Sequence, residues 1–257
     1  MRGRPQIVFK AGISDILLVG IMDKKIKLAV FLVLFSVLSL VFYNIDVNYM
    51  VGAEDQSFSL FQFIGPVGAA FINPVLGIGA ILIVEVVQKV ILNDFTITEF
   101  NVLRFLPMLA AAYYFAVVKT DKRFGIAIPV IGMLLFWMNP IGAQAWGYAL
   151  LWLIPILATI LAEKHLFLRS LGATFQAHVV GSVAFLYTVG MPAGVWWALI
   201  PIVLVERTIF AAGISITYLT MQSVLEFIAQ MLKWDLGFLN PDGKFVSHVQ
   251  KNKEEEK

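Results

Sequence analysis

The 257-residue chain contains no cysteine, only three histidines, and 14% charged residues against 60% hydrophobic ones. Each shortage excludes something. Without cysteine there are no disulfides, thiolate metal sites or cysteine nucleophiles. Three scattered histidines do not supply a closed metal-ligand set, and no cofactor is indicated. A soluble domain carries about 25% charge, so a soluble two-layer fold is not expected. The net charge of +2 is too small to indicate a nucleic-acid partner. No GxSxG elbow, HExxH helix or GxxxxGK[ST] loop is present, which leaves out the common hydrolase and P-loop chemistries.

What fills the chain is apolar sequence. Between Lys27 and Leu232 it forms a nearly unbroken series of segments, and a bilayer crossing needs about 20 mostly apolar residues. Backbone polar groups in lipid must be satisfied internally, so such segments are helices. The pattern predicts an all-α integral membrane protein, a polytopic bundle of six to eight transmembrane segments with broken helices. Residues 1–26 are expected as a cytoplasmic or interfacial segment, with Ile7, Phe9, Ile13 and Leu17 on the apolar side of a surface helix. Residues 27–232 form the transmembrane domain and 233–257 a polar cytoplasmic tail. The apolar run after Lys27 lacks a small-x-small cleavage site, so it reads as a retained crossing.

The order of segments follows from prolines and charges. A first crossing covers about 27–44, followed by a loop with Asp46, Glu54 and Asp55 and no lysine or arginine. The positive-inside rule puts that loop outside and the N-terminus inside. Residues 58–92 are too long for one straight crossing, and Gly65-Pro66 and Asn73-Pro74 interrupt them. Proline removes a helix hydrogen bond and disfavours a helical residue before it. Two forms fit: two short helices meeting near Asn73, or one broken re-entrant helix. Further segments are expected over 102–118, 124–138, 145–162, 171–189 and 195–232. Lys119, Lys122 and Arg123 mark one cytoplasmic turn, and Glu163, Lys164 and Arg169 another. With 58–92 counted as two passes there are eight segments and both termini are cytoplasmic, in a multi-pass protein of the cell membrane. Ile72-Asn73-Pro74-Val75 echoes Met138-Asn139-Pro140-Ile141, and paired helix breaks often flank a transporter's substrate site.

Polar residues kept inside apolar segments are the candidate site, because a buried charge near a helix centre costs about 2.5–3.5 kcal/mol on insertion scales. Glu85 and Arg104 are the clearest; a competing reading has Arg104 snorkelling to the headgroups. His178 is a candidate with an inter-helix hydrogen bond as its plain alternative. It and Gln176 are two apart and point to different helix faces, so one of them reaches a shared cavity. Glu206-Arg207 is either a neutralised pair inside a long helix or a turn at the membrane edge. Helical neighbours diverge by about 100°, so each is expected to find another partner, Glu85 or His178. Asn73, Asn139, Gln144 and Trp146 complete the substrate-binding set at the breaks and the mouth. Gln222 and Glu226 are i, i+4 and share a face.

Gly65-Pro66-Val67-Gly68-Ala69-Ala70 through Gly77-Ile78-Gly79-Ala80, followed by Glu85, resembles the substrate-binding (S) subunits of energy-coupling-factor vitamin transporters. The resemblance covers roughly 25–30 residues. It implies an all-helical subunit that binds a small vitamin-like polar metabolite for uptake and works with other membrane subunits and a separate ATPase module. The first crossing lacks the small-xxx-small positions such subunits often use for docking. Two other classes stand beside this one: a non-catalytic helical subunit scaffolding a larger membrane complex, and an intramembrane lipid-modifying enzyme. The enzyme requires a polar cluster at the inner interface, for which Glu163, His165, Glu206 and Arg207 are the available residues.

Overall fold

The computed structural model describes residues 24–50, 53–93, 98–232 and 239. The expected surface helix before residue 24 and almost all of the tail after 232 lie outside the described residues. Within them the chain is helical apart from one hairpin. Helix α1 is Lys24–Tyr43. Strands β1 (Asp46–Met50) and β2 (Ala53–Ser59) pair antiparallel, with Asn48 opposite Phe58. This hairpin lies where sequence reasoning expected only an acidic loop; the fold is otherwise all-α, as expected. Asp46, Asn48, Tyr49, Gln56, Ser57 and Phe58 alternate too little to signal strands, and two paired strands need outside support.

Helix α2 (Phe61–Phe71) and α3 (Pro74–Ile91) form the helical hairpin expected from Asn73-Pro74. Asn73 is extended (φ −154°, ψ 136°), as a residue before proline must be, and its side chain accepts from Val75 N at 2.8 Å. The legs touch at their closed end: a Cβ on Gly77 would lie 2.2 Å from Ala69 Cα. Small residues permit such backbone approach. Pro66 is tolerated inside α2, which continues through it.

Next come α4 (Glu99–Leu103) and α5 (Phe105–Val117), broken at Arg104, then α6 (Arg123–Met138). Asn139-Pro140 repeats the Asn73-Pro74 device: Asn139 accepts from Ile141 N at 2.9 Å and opens α7 (Pro140–Gln144). The echo in the sequence is therefore a repeated helix cap. Helix α8 (Trp146–Ala149), a 3-10 turn and α9 (Leu153–Leu161) make one irregular rod where a single segment was expected. Helix α10 is Leu166–Thr188, and α11 runs unbroken over Ala193–Leu232.

Helix α10 is the axis of the bundle, packed against α5, α11, α9 and α6. Its polar residues are accordingly buried: Arg169, Ser170, Thr174, Gln176 and Ser182. Arg169 is a correction. Expected as a cytoplasmic marker, it is 5% exposed; its Nε donates to the Phe115 carbonyl at 2.7 Å, and its guanidinium stacks 4.1 Å from the Phe115 ring. The side chain thus ties the start of α10 to the end of α5.

Two apolar clusters flank this axis. One gathers α1, α2, α3, α5 and the C-terminal half of α11 around Phe35, Phe71, Phe115 and Tyr218. The other gathers α6, α8, α9 and the N-terminal half of α11 around Phe136, Trp152 and Trp196. The outside is apolar as well: Val33, Leu34, Ile83, Val205, Ile216 and Phe227 are each at least 59% exposed. Three helices are long and apolar enough to cross a membrane, over Lys24–Tyr43, Pro74–Ile91 and Ala193–Met231.

Candidate functional site

Between the two clusters lies a cavity of about 190 Å³. Its walls come from the end of α1 (Tyr43), β2 (Ser57, Phe58, Ser59), α3 (Glu85), the α4–α5 break (Arg104), α8 (Tyr148), α10 (His178, Ser182) and α11 (Glu206, Arg207). Five of the nine residues singled out from sequence, Glu85, Arg104, His178, Glu206 and Arg207, thus share one space although 122 positions separate the first from the last.

Glu85 projects from the middle of α3 and is 6% exposed; its Oε2 is buried without a hydrogen-bond partner. Arg104 is half-buried at the α4–α5 junction, close enough to act electrostatically on both Glu85 and Tyr43. At the helix break this arginine lines the cavity. One turn beyond Glu85, Gln88 and Asn44 exchange two hydrogen bonds (2.9 and 3.2 Å) and pin the ends of α3 and α1 together.

A second polar wall is built on α10. The Trp152 Nε1–H donates to His178 Nδ1 at 3.2 Å. An indole nitrogen only donates, so Nδ1 carries a lone pair and the imidazole proton sits on Nε2. That Nε2–H faces the Tyr148 hydroxyl at 2.8 Å, which leaves the Tyr148 proton for Ser182 Oγ at 3.3 Å. The chain Trp152–His178–Tyr148–Ser182 is a directed hydrogen-bond series with a neutral histidine at its centre. Gln176, as expected, points elsewhere and donates to the Gly125 carbonyl at 2.9 Å.

The Glu206-Arg207 expectation is corrected in one respect. The two do pair with each other, Arg207 Nη2 on Glu206 Oε2, inside an unbroken helix. Their backbone directions differ by about 100°, yet both side chains are long enough to turn toward the same cavity. Arg207 is 2% exposed. Its Nη1 donates to Thr174 Oγ1 at 3.3 Å and its guanidinium lies 5.1 Å from the Phe58 ring and 4.6 Å from that of Phe210. Its Nε–H is buried and unpartnered. Glu206 Oε1 accepts from Asn48 Nδ2 at 3.2 Å, which ties the β-hairpin over this end of the cavity.

The other four expected residues are placed elsewhere. Asn73 and Asn139 spend their side-chain oxygens on helix caps. Gln144 and Trp146 are exposed near the start of α11, where their backbone carbonyls accept from Trp197 and Trp137 (3.2 and 3.0 Å). None of the four lines the cavity. The two Asn-Pro breaks cap helices and do not themselves contact the space, whereas the α4–α5 break does so through Arg104. Tyr43, Tyr148 and Ser182 were missed because each is unremarkable in sequence; only the packing of α1, α8 and α10 brings them to one wall.

The cluster required for an inner-interface enzyme is not assembled. Glu163 pairs with Lys122 at 2.9 Å, and His165 opens α10. Arg207 reaches Thr174, nine residues further along and so about 14 Å away at 1.5 Å per residue. Among the described residues no group of three or more histidine, cysteine or acidic side chains has metal-binding geometry. The chain matches no family model, no curated protein and no solved structure.

Proposed function

We propose that this chain is a multi-pass membrane subunit that binds a small polar metabolite for uptake, with energy supplied by other membrane subunits and an ATPase module. The observation that carries it is the cavity, whose walls bring Glu85, Arg104, His178, Glu206 and Arg207 from four separate parts of the chain to one space. Trp196, Phe58 and Phe185 add apolar wall, which gives the mixed lining usual for small-molecule sites.

Insertion as eight segments accounts for two end-to-end ties. The Lys122–Glu163 ion pair joins the α5–α6 turn to the α9–α10 turn at one face, and the Asn44–Gln88 pair joins the ends of α1 and α3 at the other. The first carries the lysines and is the cytoplasmic face. The stretch that resembles energy-coupling-factor S subunits forms the α2–α3 hairpin, whose α3 leg bears Glu85.

Native mass spectrometry of protein extracted gently from its own host tests the reading. The expected result is a co-released small molecule that is lost in Glu85→Ala and Arg104→Ala although both variants insert normally. A ligand-free protein held in a stable larger assembly overturns it in favour of the scaffold, as does a small molecule retained by both variants.

A further inference from the structure

The hydrogen-bond series on α10 runs in one direction only. Its start is fixed by Trp152, whose indole N–H can only donate and holds His178 Nδ1 as an acceptor at 3.2 Å. A neutral imidazole has one donor and one acceptor. His178 Nε2–H therefore donates to the Tyr148 hydroxyl at 2.8 Å, and Tyr148 passes its own proton to Ser182 Oγ at 3.3 Å. A hydroxyl carries a single proton. Ser182 accepts one from Tyr148, and its own is left over.

On a helix, serine and threonine commonly return such a proton to the carbonyl four residues back. Thr188, Thr208 and Ser215 do so at 2.7–2.8 Å. Ser182 does not: among the described residues its hydrogen-bond partner is Tyr148. Ser182 lies on the cavity wall and is 8% exposed, whereas Trp152 is wholly buried and does not line the cavity. Were the series reversed, Ser182 would donate to Tyr148 and keep only lone pairs for the cavity. Resting on the binding reading above, we infer that Ser182 is a hydrogen-bond donor subsite for a ligand that presents a bare acceptor there, a carbonyl or carboxylate oxygen. Trp152 is the positioning residue that sets this polarity without touching the ligand.

Equilibrium binding to the purified full chain in nanodiscs tests this with two uncharged bicyclic probes of matched shape, indanone (a ring carbonyl and no N–H) and indole (a ring N–H and no carbonyl). Wild type is expected to prefer indanone by about tenfold. Ser182→Ala with Tyr148→Phe removes both hydroxyls and should lower indanone affinity by about tenfold while indole affinity holds. Trp152→Phe frees His178 Nδ1, lets the series point either way and should erase most of the preference. Nitrogen NMR of histidine-labelled protein reads the same step without a probe. His178, assigned by its loss in His178→Gln, should carry its proton on Nε2 in wild type and show both tautomers in Trp152→Phe. Should Trp152→Phe not fold, the double variant and the wild-type tautomer carry the test. Three results overturn the donor subsite and leave the binding reading standing: wild type that does not prefer indanone, a preference that survives in the double variant, or a wild-type His178 proton on Nδ1. An unchanged preference in folded Trp152→Phe overturns its positioning role. If neither probe binds wild type the subsite falls too, and the binding reading falls with it only if native extraction also yields no small molecule.

Discussion

Two glycines separate packing from intrinsic helix preference. At Gly172, in the middle of α10, an added Cβ would sit 2.0 Å from the Tyr114 hydroxyl and 2.4 Å from its Cζ. Tyr114 is fully buried and its hydroxyl accepts from Thr159 Oγ1 at 3.2 Å, so the ring has nowhere to retreat. At Gly79, in α3, an added Cβ meets nothing within 4 Å. Replacing glycine by alanine inside a helix gains about 1 kcal/mol from propensity at both sites. Overpacking at Gly172 costs up to about 3 kcal/mol, which leaves Gly172→Ala destabilised by about 2 kcal/mol and Gly79→Ala stabilised by about 1. For a chain of this size 1 kcal/mol moves the melting midpoint by about 2–4 °C. Thermal unfolding in one detergent should show a fall of about 4–8 °C for Gly172→Ala and a rise of about 2–4 °C for Gly79→Ala. Adding Tyr114→Phe, which removes the nearest clashing atom, should return part of the loss at Gly172, and a double-mutant cycle reads that coupling. If Gly172→Ala melts at or above wild type, the close α5–α10 approach is wrong.

Other perturbations probe the site and its frame. Arg207→Met leaves half-buried Glu206 with Asn48 but no guanidinium and should cost about 3 kcal/mol, the low end for a broken buried pair, with Glu206→Gln in the same chain restoring part of it, as followed by denaturation midpoints. Tyr148→Phe strips the hydroxyl between His178 and Ser182 and should lose about 1–3 kcal/mol of stability; an unchanged midpoint would argue against that hydrogen-bond series. Asn73→Ala and Asn139→Ala remove caps and should each cost about 1 kcal/mol, while the affinity of any cavity ligand stays at the wild-type value. Because the chain has no native cysteine, Thr120→Cys and Val189→Cys are unique thiols at opposite ends of the bundle. An impermeant maleimide should label the second from outside intact cells and the first only after lysis.

Legibility from sequence followed the physics of each feature. Segment positions were readable because apolar runs, prolines and terminal charges act locally. The Asn73-Pro74 turn is one case, since a proline fixes its predecessor wherever it occurs. Glu85 and Arg104 stood out because a charge in apolar company is costly in any arrangement. Tyr148 and Ser182 did not, because their roles depend on α8 and α10 lying side by side, which no local pattern encodes. Arg169 misled for a related reason: near a helix start an arginine reads as an interfacial charge, and only the neighbouring Phe115 carbonyl and ring draw it inward. The two Asn-Pro sites share a cap geometry, and the caps consume the very oxygens that had suggested ligand contact.

Helix α11 spans 40 residues, about 60 Å at 1.5 Å per residue, and belongs to both apolar clusters. The two sides of the cavity are therefore joined by one continuous beam, and they cannot part as separate rigid bodies. Proline 201 interrupts the hydrogen-bond ladder of that beam just above Val203, Glu206 and Arg207, and a missing rung is where a helix bends at least cost. The compliance of the site is concentrated there. Bending at Pro201 would move Trp196 and Leu199 relative to the Glu206–Arg207 pair.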